Sequence, residues 1–180
     1  ATASTTHSEP YNIARMFSSL DHISKGRAGW NIVTSFSIAG ANNFGSKGRL
    51  SHADRYERAE EFVEVAKNLW DSWTDDAIVD DRDAGIYYRR DKVQPIDHHG
   101  DYYDVAGPMN VPRSPQGWPL LVQAGSSDTG KDFAARHAEA VFTAHLTKST
   151  AQDFYKDLKS RVVAAGRRAH RKRIVGKIGR

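Results

Sequence analysis

The stretch AGWNIVTSF, residues 28–36, is a nearly continuous apolar run centred on Trp30, Ile32 and Val33. A strand inside a parallel sheet is covered on both faces, so its sequence is a run of apolar residues rather than an alternation of apolar and polar residues. A second run of this kind, PLLVQAG at residues 119–125, leads directly into a helix-like segment. Together the two runs predict parallel strands in the core of an α/β fold.

Strands and helices alternate outward from these runs. Residues 1–8 and 140–144 predict two more strands. Helix starts follow the strands, at Pro10, Ser51, Ser126 and Thr150. A long insertion between the second and third strands, about residues 75–118, contains several prolines and a hairpin predicted around residues 98–101. Four strands are too few to close a barrel, but they suit a segment of one.

The amino-acid composition is that of a folded domain without disulfide bonds. With 39% hydrophobic residues, four Trp, seven Tyr and seven Phe, the chain of 180 residues is typical of a folded domain. It has no cysteine, which excludes disulfides and thiolate metal sites and is compatible with the cytoplasm. No apolar run approaches the roughly 20 residues that span a membrane, and the start, ATASTTHSEP, lacks the features of a signal peptide. That start is typical of the interior of a longer protein.

The net charge of +4 originates at one end of the chain. Residues 161–180 hold eight of the 26 Lys and Arg residues and no acidic residue, which leaves 18 basic against 22 acidic residues elsewhere. A basic tail can bind nucleic acid, but no nucleic-acid recognition motif accompanies it and such runs are commonly only solvated. Nucleic-acid binding is therefore kept as a second alternative.

Polar residues follow the predicted strands, where ligands bind in parallel α/β folds. Ser126 and Ser127 stand between a strand and a helix, where they hold a phosphate or merely cap the helix. Asn31 is an amide inside a buried strand, so it must find partners in the core or on a ligand. Ser35 closes the same strand and bonds either a ligand or the turn.

His52 and Tyr56 lie four residues apart at the start of the longest predicted helix. This spacing places both on one helix face beside the positive end of the helix dipole, which suits an anion, although an aromatic helix start also packs in a core. Two adjacent histidines, His98 and His99, are potential metal ligands, but neighbouring side chains in a hairpin strand point to opposite faces and cannot both bind one ion. We therefore predict no metal site. Walker, G-x-S-x-G and G-x-G-x-x-G motifs do not occur.

Four segments resemble one protein family in order and spacing: EPYNIARMFSSLDHISKGRAGWNIVTS, NNFG, HADRYERAEEFVEVAKNLWDSW and DKVQPIDHHGDYYDVAGPMNVPRSPQGWPLLVQAGSSDTGKDFAARHAEAVFTA. The family is the nitrilotriacetate monooxygenase and dibenzothiophene-sulfone monooxygenase group within the bacterial luciferase-like flavin-dependent monooxygenases. The resemblance runs from residue 1 to about residue 166. Its specificity comes from GWNIVTS, RYERAEEF and NVPRSPQG occurring together.

The resemblance implies a partial TIM (β/α)8 barrel over residues 1–166 and a two-component, FMN-dependent monooxygenase. Such an enzyme receives reduced FMN (FMNH2) from a separate flavin reductase, uses O2 as co-substrate and inserts one oxygen atom into a small organic substrate. A homo-oligomer in the cytoplasm is part of the same expectation. The protein itself supplies positioning, water exclusion and electrostatics around the flavin.

Carried over by position, the resemblance assigns cofactor-binding roles to Thr2, Asn31, Ser35, His52, Tyr56, Ser126 and Ser127. Thr2 is expected beside the isoalloxazine ring, His52 and Tyr56 on the ribityl-phosphate side, and Ser127 at the phosphate. All of them except Thr2 are residues that the strand ends or the helical spacing had already indicated. No catalytic residue is assigned.

Two departures from the family pattern lead to further expectations. The family chain is more than twice as long, so we expect this chain to be a fragment. Residues 167–180, RRAHRKRIVGKIGR, do not resemble the apolar strand that follows in the family, so they are expected to form a basic tail. The first alternative to an active monooxygenase is therefore a catalytically incomplete fragment that binds flavin or phosphate.

Overall fold

The predicted strands assemble into one parallel sheet. The computed structural model describes residues 1–35, 37–44, 50–168 and 173–178. Numbered in chain order, the sheet strands are β1 (Thr2–Ser4), β2 (Gly29–Val33), β7 (Leu120–Gln123), β8 (Ala140–His145) and β9 (Arg173–Ile178), and they lie side by side in this order. Every neighbouring pair is parallel, including β2 with β7. All four predicted strands are confirmed.

Helices connect the strands: α1 (Pro10–Ser24), α2 (Ile38–Ala41), α3 (His52–Asp71), α4 (Asp128–His137) and α5 (Lys148–Ala164). The predicted capping box of α3 is confirmed, since Ser51 Oγ accepts a hydrogen bond from the Asp54 N–H at 3.1 Å and Asp54 Oδ2 accepts one from the Ser51 N–H at 3.2 Å. In the described part of the chain no helix is both long and apolar enough to cross a membrane.

Trp30, in the middle of β2, organises the hydrophobic core. Its buried ring lies 5.7 Å from that of Phe17 in α1, and 5.8 Å and 6.3 Å from those of Phe62 and Trp70 in α3. Each ring of this kind buries roughly 150–250 Å². A second cluster, built by α4 and α5 around Val141 of β8, continues the same layer. The core therefore lies between the helices and one face of the sheet.

The opposite face of the sheet has no comparable cover among the described residues. Side chains alternate along a strand, so Asn31, Leu120 and Phe142 point away from the face that carries Trp30. Leu120 is 44% exposed and Phe142 is 48% exposed. A parallel sheet with consecutive strands adjacent and helices on one face is the arrangement of an open segment of a (β/α) barrel.

The insertion forms two small hairpins, of which the first packs on Trp73 just beyond α3 and the second is bound to Glu61 of α3. The first pairs β3 (Ile78–Asp81) with β4 (Ile86–Tyr88), and the second pairs β5 (His98–His99) with β6 (Asp104–Val105). The hairpin predicted around residues 98–101 is thus confirmed. Beyond it, Met109 anchors the chain, because its carbonyl accepts a hydrogen bond from Trp73 Nε1 at 2.6 Å and its side chain is buried in the core.

Strand β9 corrects the expectation that residues 167–180 form only a basic tail. Residues 173–178 pair with β8 over six residue pairs, from Ala140–Arg173 to His145–Ile178. The sequence RIVGKI contains three apolar residues, which the surrounding Lys and Arg residues obscured. A strand is held in a sheet by its backbone hydrogen bonds, so the high charge of the segment did not prevent the pairing.

Candidate functional site

A cavity of about 290 Å³ opens at the carboxyl ends of β2 and β7, beside the first turn of α3. Its lining consists of Ile32, Val33, Thr34, His52, Arg55, Tyr56, Gln123, Ala124 and Gly125. Two of the residues predicted from the sequence, His52 and Tyr56, therefore lie in one cavity at the end of the sheet where ligands bind in parallel folds. A larger groove of about 650 Å³ lies along α1, away from these strand ends.

The start of α3 fixes two aromatic side chains in this cavity. Because the capping box sets the first turn, His52 and Tyr56 project from the same face with their ring centroids 4.9 Å apart. Tyr56 is buried, and its ring also meets Phe133 of α4 edge-on at 5.8 Å. Its phenol is therefore held firmly, with the hydroxyl directed at the turn that follows β7.

The chain can approach Tyr56 closely here because Gly125 lies in the turn and Gly130 lies in the first turn of α4. A Cβ atom on Gly125 would lie 2.4 Å from Gln123 Nε2 and 3.1 Å from the Tyr56 hydroxyl. A Cβ atom on Gly130 would lie 2.8 Å from the same hydroxyl and 3.1 Å from Ser127 Oγ. Tyr56 and Ser127 thus place two hydroxyl oxygens around one point at the start of α4.

Ser127 is the N-cap of α4. Its Oγ accepts a hydrogen bond from the Gly130 N–H at 3.1 Å, which is the capping geometry left open by the sequence. A hydroxyl that accepts this bond still has its own hydrogen to donate, so capping and anion binding are compatible. Ser126 precedes it in the turn, and both serines are exposed.

Thr2, Asn31 and Ser35 lie on the face of the sheet that carries no helices. Asn31 Nδ2 donates a hydrogen bond to Thr2 Oγ1 at 3.2 Å, and Ser35 Oγ donates one to Ser4 Oγ at 2.8 Å. Asn31 Oδ1 is buried and has no partner among the described residues. The structure therefore places these three residues on or beside the uncovered face of the sheet, outside the lining of the cavity that contains His52 and Tyr56.

Arg55 is a cavity residue that the sequence argument missed. Its Nη1 donates a hydrogen bond to the Leu50 carbonyl at 2.9 Å, whereas its Nε is buried without a partner in the described part of the chain. A buried guanidinium N–H of this kind is a ready donor for an anion. The sequence carries a signal for it, since Arg55 directly precedes Tyr56 in the same helix turn, but the four-residue spacing that joins His52 to Tyr56 does not include it.

The two adjacent histidines form separate pairs. His98 Nε2 lies 3.0 Å from Glu61 Oε1, and His99 Nδ1 lies 2.8 Å from Asp104 Oδ1. Burial raises the pKa of Glu61, but the hydrogen bonds from His98 and from the N–H groups of Tyr102 and Tyr103 outweigh it and lower the pKa overall. Glu61 thus binds the second hairpin to α3. Among the residues that the structure describes, no group of three or more potential ligands could hold a metal ion.

The parallel sheet, with its cavity at the strand ends, has the architecture of part of a (β/α) barrel. The family model described as luciferase-like monooxygenase matches residues 1–178. The chain belongs to this family. It is 54% identical over 166 residues to nitrilotriacetate monooxygenase component A of Aminobacter aminovorans, an alignment that covers 92% of this chain and 37% of that protein.

Solved structures agree with this assignment. The crystal structure of a long-chain alkane monooxygenase superposes with a TM-score of 0.94 at 41% identity and covers 97% of this chain and 41% of that one. A riboflavin lyase, solved with modified FMN and riboflavin, superposes with a TM-score of 0.93 at 38% identity over 97% of this chain and 39% of that one. The fold is therefore a partial luciferase-like TIM barrel. The chain spans about two fifths of the length of these relatives.

Proposed function

We propose that the cavity between α3 and the turn after β7 binds the phosphate of FMN, in a two-component monooxygenase that inserts one oxygen atom from O2 into a small organic substrate. The observation that carries the proposal has two parts: Tyr56 and Arg55 line one cavity at the strand ends, and the Tyr56 hydroxyl and Ser127 Oγ approach the same point beside Gly130 at the start of α4. Helix N-termini, hydroxyls and a guanidinium are the usual partners of a phosphate in proteins.

The residues present fit the cofactor. Gly125 in the turn and Gly130 in the first turn of α4 add no side chain there, so that backbone N–H groups can approach an anion. The Arg55 guanidinium supplies a positive charge, and its Nε, which has no partner among the described residues, supplies a donor. Thr2 and Asn31, on the uncovered face of the sheet, are assigned to the ring system, and Ser35 and Ser126 are assigned to the neighbourhood of the same ligand.

Each residue has a defined task in this mechanism. When bound, the reduced flavin supplies the oxygenating chemistry with O2. Ser127 and Tyr56 donate hydrogen bonds that hold the phosphate, Arg55 neutralises its charge, and His52 closes the cavity beside Tyr56. Asn31 has a buried carbonyl oxygen that accepts a hydrogen bond from a ligand N–H. The protein thereby orients the cofactor and excludes water.

The partners follow from the same proposal. A separate flavin reductase supplies the reduced FMN, as the name "component A" of one relative supports. A reducing compartment, the cytoplasm, suits a chain without cysteine that receives reduced flavin. We also assign the protein to a homo-oligomer, because the sheet exposes apolar side chains.

Two measurements on the same protein test the proposal. Calorimetric titration with FMN and with riboflavin should show that FMN binds more tightly, because only FMN carries the phosphate. Reduced flavin, O2 and candidate organic substrates should then give oxygenated product. Tight FMN binding without product would favour the alternative of a flavin-binding fragment that does not turn over. Equal affinity for FMN and riboflavin would contradict the phosphate site.

A further inference from the structure

Unpartnered buried polar atoms concentrate near the proposed flavin site. In the described part of the chain there are six such side-chain atoms, and five of them belong to β1, β2, α3 or the residues just after β1. They are Thr6 Oγ1, His7 Nδ1, His7 Nε2, Asn31 Oδ1 and Arg55 Nε. Buried polar groups without partners are rare, and each one calls for an explanation. Asn31 and Arg55 are explained by the proposed function, whereas Thr6 and His7 are not.

His7 lies just beyond the carboxyl end of β1, with its imidazole covered by an aromatic ring. The rings of His7 and Phe44 are stacked, with centroids 4.6 Å apart and planes at 9°. Phe44 itself is 61% exposed, so one face of its ring covers the imidazole and the rest meets solvent. Both imidazole nitrogens are buried, and neither has a hydrogen-bond partner among the described residues.

The backbone that carries His7 is firmly held. The Thr5 N–H donates a hydrogen bond to the Val33 carbonyl at 3.0 Å, and Arg58 Nη1 donates one to the Thr6 carbonyl at 3.3 Å. Arg58 is fixed in turn, because its Nε donates to the Tyr103 hydroxyl at 2.6 Å. Hydrogen bonds therefore hold the backbone beside His7 in place, although its two ring nitrogens have no partner among the described residues.

The position of His7 relative to Ser127 decides which part of a ligand it faces. Strand β1 lies two places from β7 in the sheet, and neighbouring strands are about 4.8 Å apart, so the two strand ends are separated by roughly 10 Å. Ser127 follows β7, whereas His7 follows β1. A flavin whose phosphate lies at Ser127 would have to extend across β2 to reach His7, which places its reacting end there.

We propose that His7 forms a hydrogen bond with the reacting end of the bound molecules, either the flavin ring system or the organic substrate, under the cover of Phe44. A neutral imidazole offers one donor and one acceptor, and Thr6 Oγ1 adds a neighbouring hydroxyl. This inference rests on the proposed function and extends it to the end of the ligand remote from the phosphate.

The test compares His7→Phe with His7→Gln and with the control His99→Gln. Phenylalanine keeps an aromatic ring against Phe44 but removes both nitrogens, so the thermal midpoint of the ligand-free protein should stay unchanged or rise. Glutamine keeps a donor and an acceptor and should retain part of the affinity. His99 is exposed on a hairpin, and its replacement should affect neither stability nor binding.

Titrations with FMN and riboflavin, together with the substrate KM, give the decisive results. An equal loss of about five- to tenfold for both flavins in His7→Phe assigns the contact to the flavin ring. Unchanged flavin binding with a KM raised by a similar factor assigns it to the substrate. A loss of affinity for FMN alone, or no change in either flavin affinity or in the substrate KM, overturns the proposal. A wild-type protein that binds no FMN overturns the proposed function itself, which distinguishes the two failures.

Discussion

The hydroxyl oxygen of Tyr56 lies 2.8 Å from the point that a Cβ atom on Gly130 would occupy. The two residues come from different helices, α3 and α4, so this contact joins the helix start that lines the cavity to the helix start that Ser127 caps. Tyr56 cannot swing away easily, because its ring is buried against Phe133. The absence of a side chain at Gly130 is therefore a requirement of the site and is not explained by the helix alone.

Replacing Gly130 with alanine should weaken both stability and FMN binding. Alanine in a helix usually stabilises by about 0.5–1 kcal/mol relative to glycine, but here the new methyl group meets the Tyr56 hydroxyl. We expect a net loss of about 1–3 kcal/mol, the range for overpacking a buried site. Urea unfolding and FMN titration measure the two effects.

The double variant Gly130→Ala with Tyr56→Phe provides the control for that result. Phenylalanine lacks the clashing oxygen, so it should restore most of the lost stability without restoring FMN affinity. A double variant as unstable as the single one would show that the contact with Tyr56 is not the cause.

Ser127→Ala should weaken FMN by about ten- to a hundredfold and leave riboflavin much less affected, because a hydrogen bond to a charged partner contributes about 1.5–3 kcal/mol. Thr147→Ala is the matched control, since Thr147 caps α5 in the same manner through the Thr150 N–H. Each variant loses an N-cap, but only Ser127→Ala should change FMN binding in calorimetric titrations. Equal losses for FMN and riboflavin would leave Ser127 with a capping role only.

Glu61→Gln should loosen the second hairpin. Glu61 accepts hydrogen bonds from the N–H groups of Tyr102 and Tyr103 at 2.9 Å and 2.8 Å, and it pairs with His98. We expect the variant to lose about 1–3 kcal/mol at neutral pH, whereas Glu64→Gln, an exposed glutamate on the same helix, should lose little.

The loss caused by Glu61→Gln should depend on pH. Because folding lowers the pKa of Glu61 below its ordinary value of 4.5, the carboxylate stabilises the fold fully above that value. Its contribution disappears as the pH falls through the lowered folded pKa. Unfolding experiments at pH 7 and in the acid range should show the difference between wild type and Glu61→Gln shrinking toward low pH. A constant difference would contradict the role of the ionised carboxylate.

Arg167→Ala should destabilise the protein although the residue belongs to the basic segment. Its Nη1 donates hydrogen bonds to three carbonyls at the end of α4, those of Ala135, Arg136 and Ala138, at 3.2, 3.0 and 2.9 Å. These bonds satisfy carbonyls that the helix leaves unpaired, so a loss of about 1–3 kcal/mol is expected. Arg168→Ala, at an exposed neighbour, should be nearly neutral in the same thermal unfolding assay.

The 180-residue chain should self-associate. Leu120 and Phe142 expose 44% and 48% of their surface on the uncovered face of the sheet, and contiguous apolar surface of this kind favours association. Sedimentation velocity should show species larger than a monomer, and Phe142→Ser should shift them toward the monomer. A compact wild-type monomer of high thermal stability would contradict this expectation.

The sequence was sufficient for most of the sheet and for part of the site. The buried runs around Trp30 and Leu121 predicted their strands because burial on both faces leaves a visible pattern. His52 and Tyr56 were predicted together because helical spacing alone brings them to one face. The structure adds that both line one cavity, while their role toward FMN stays a prediction.

Other features depend on tertiary contacts that leave no local pattern. Strand β9 was missed because charge obscured its three apolar residues, whereas strand pairing is formed by backbone groups, which carry no sequence pattern. The unpaired nitrogens of His7 are a property of what surrounds the ring, and no spacing rule reports them. Gly130 looked like an ordinary helix residue until Tyr56, 74 positions earlier in the chain, was found beside it.

The insertion also affects the order in which the molecule assembles. Strands β7 and β8 are joined through the single helix α4. Strands β2 and β7 are also neighbours in the sheet, but α3 and both hairpins lie between them along the chain. Contacts between distant parts of a chain form slowly, because a long loop must close before they are made. We therefore expect the pairing of β2 with β7 to be the slow step of folding, and the cavity is lined by residues at the ends of both strands. Flavin present during refolding should trap the joined state and raise the yield of native protein.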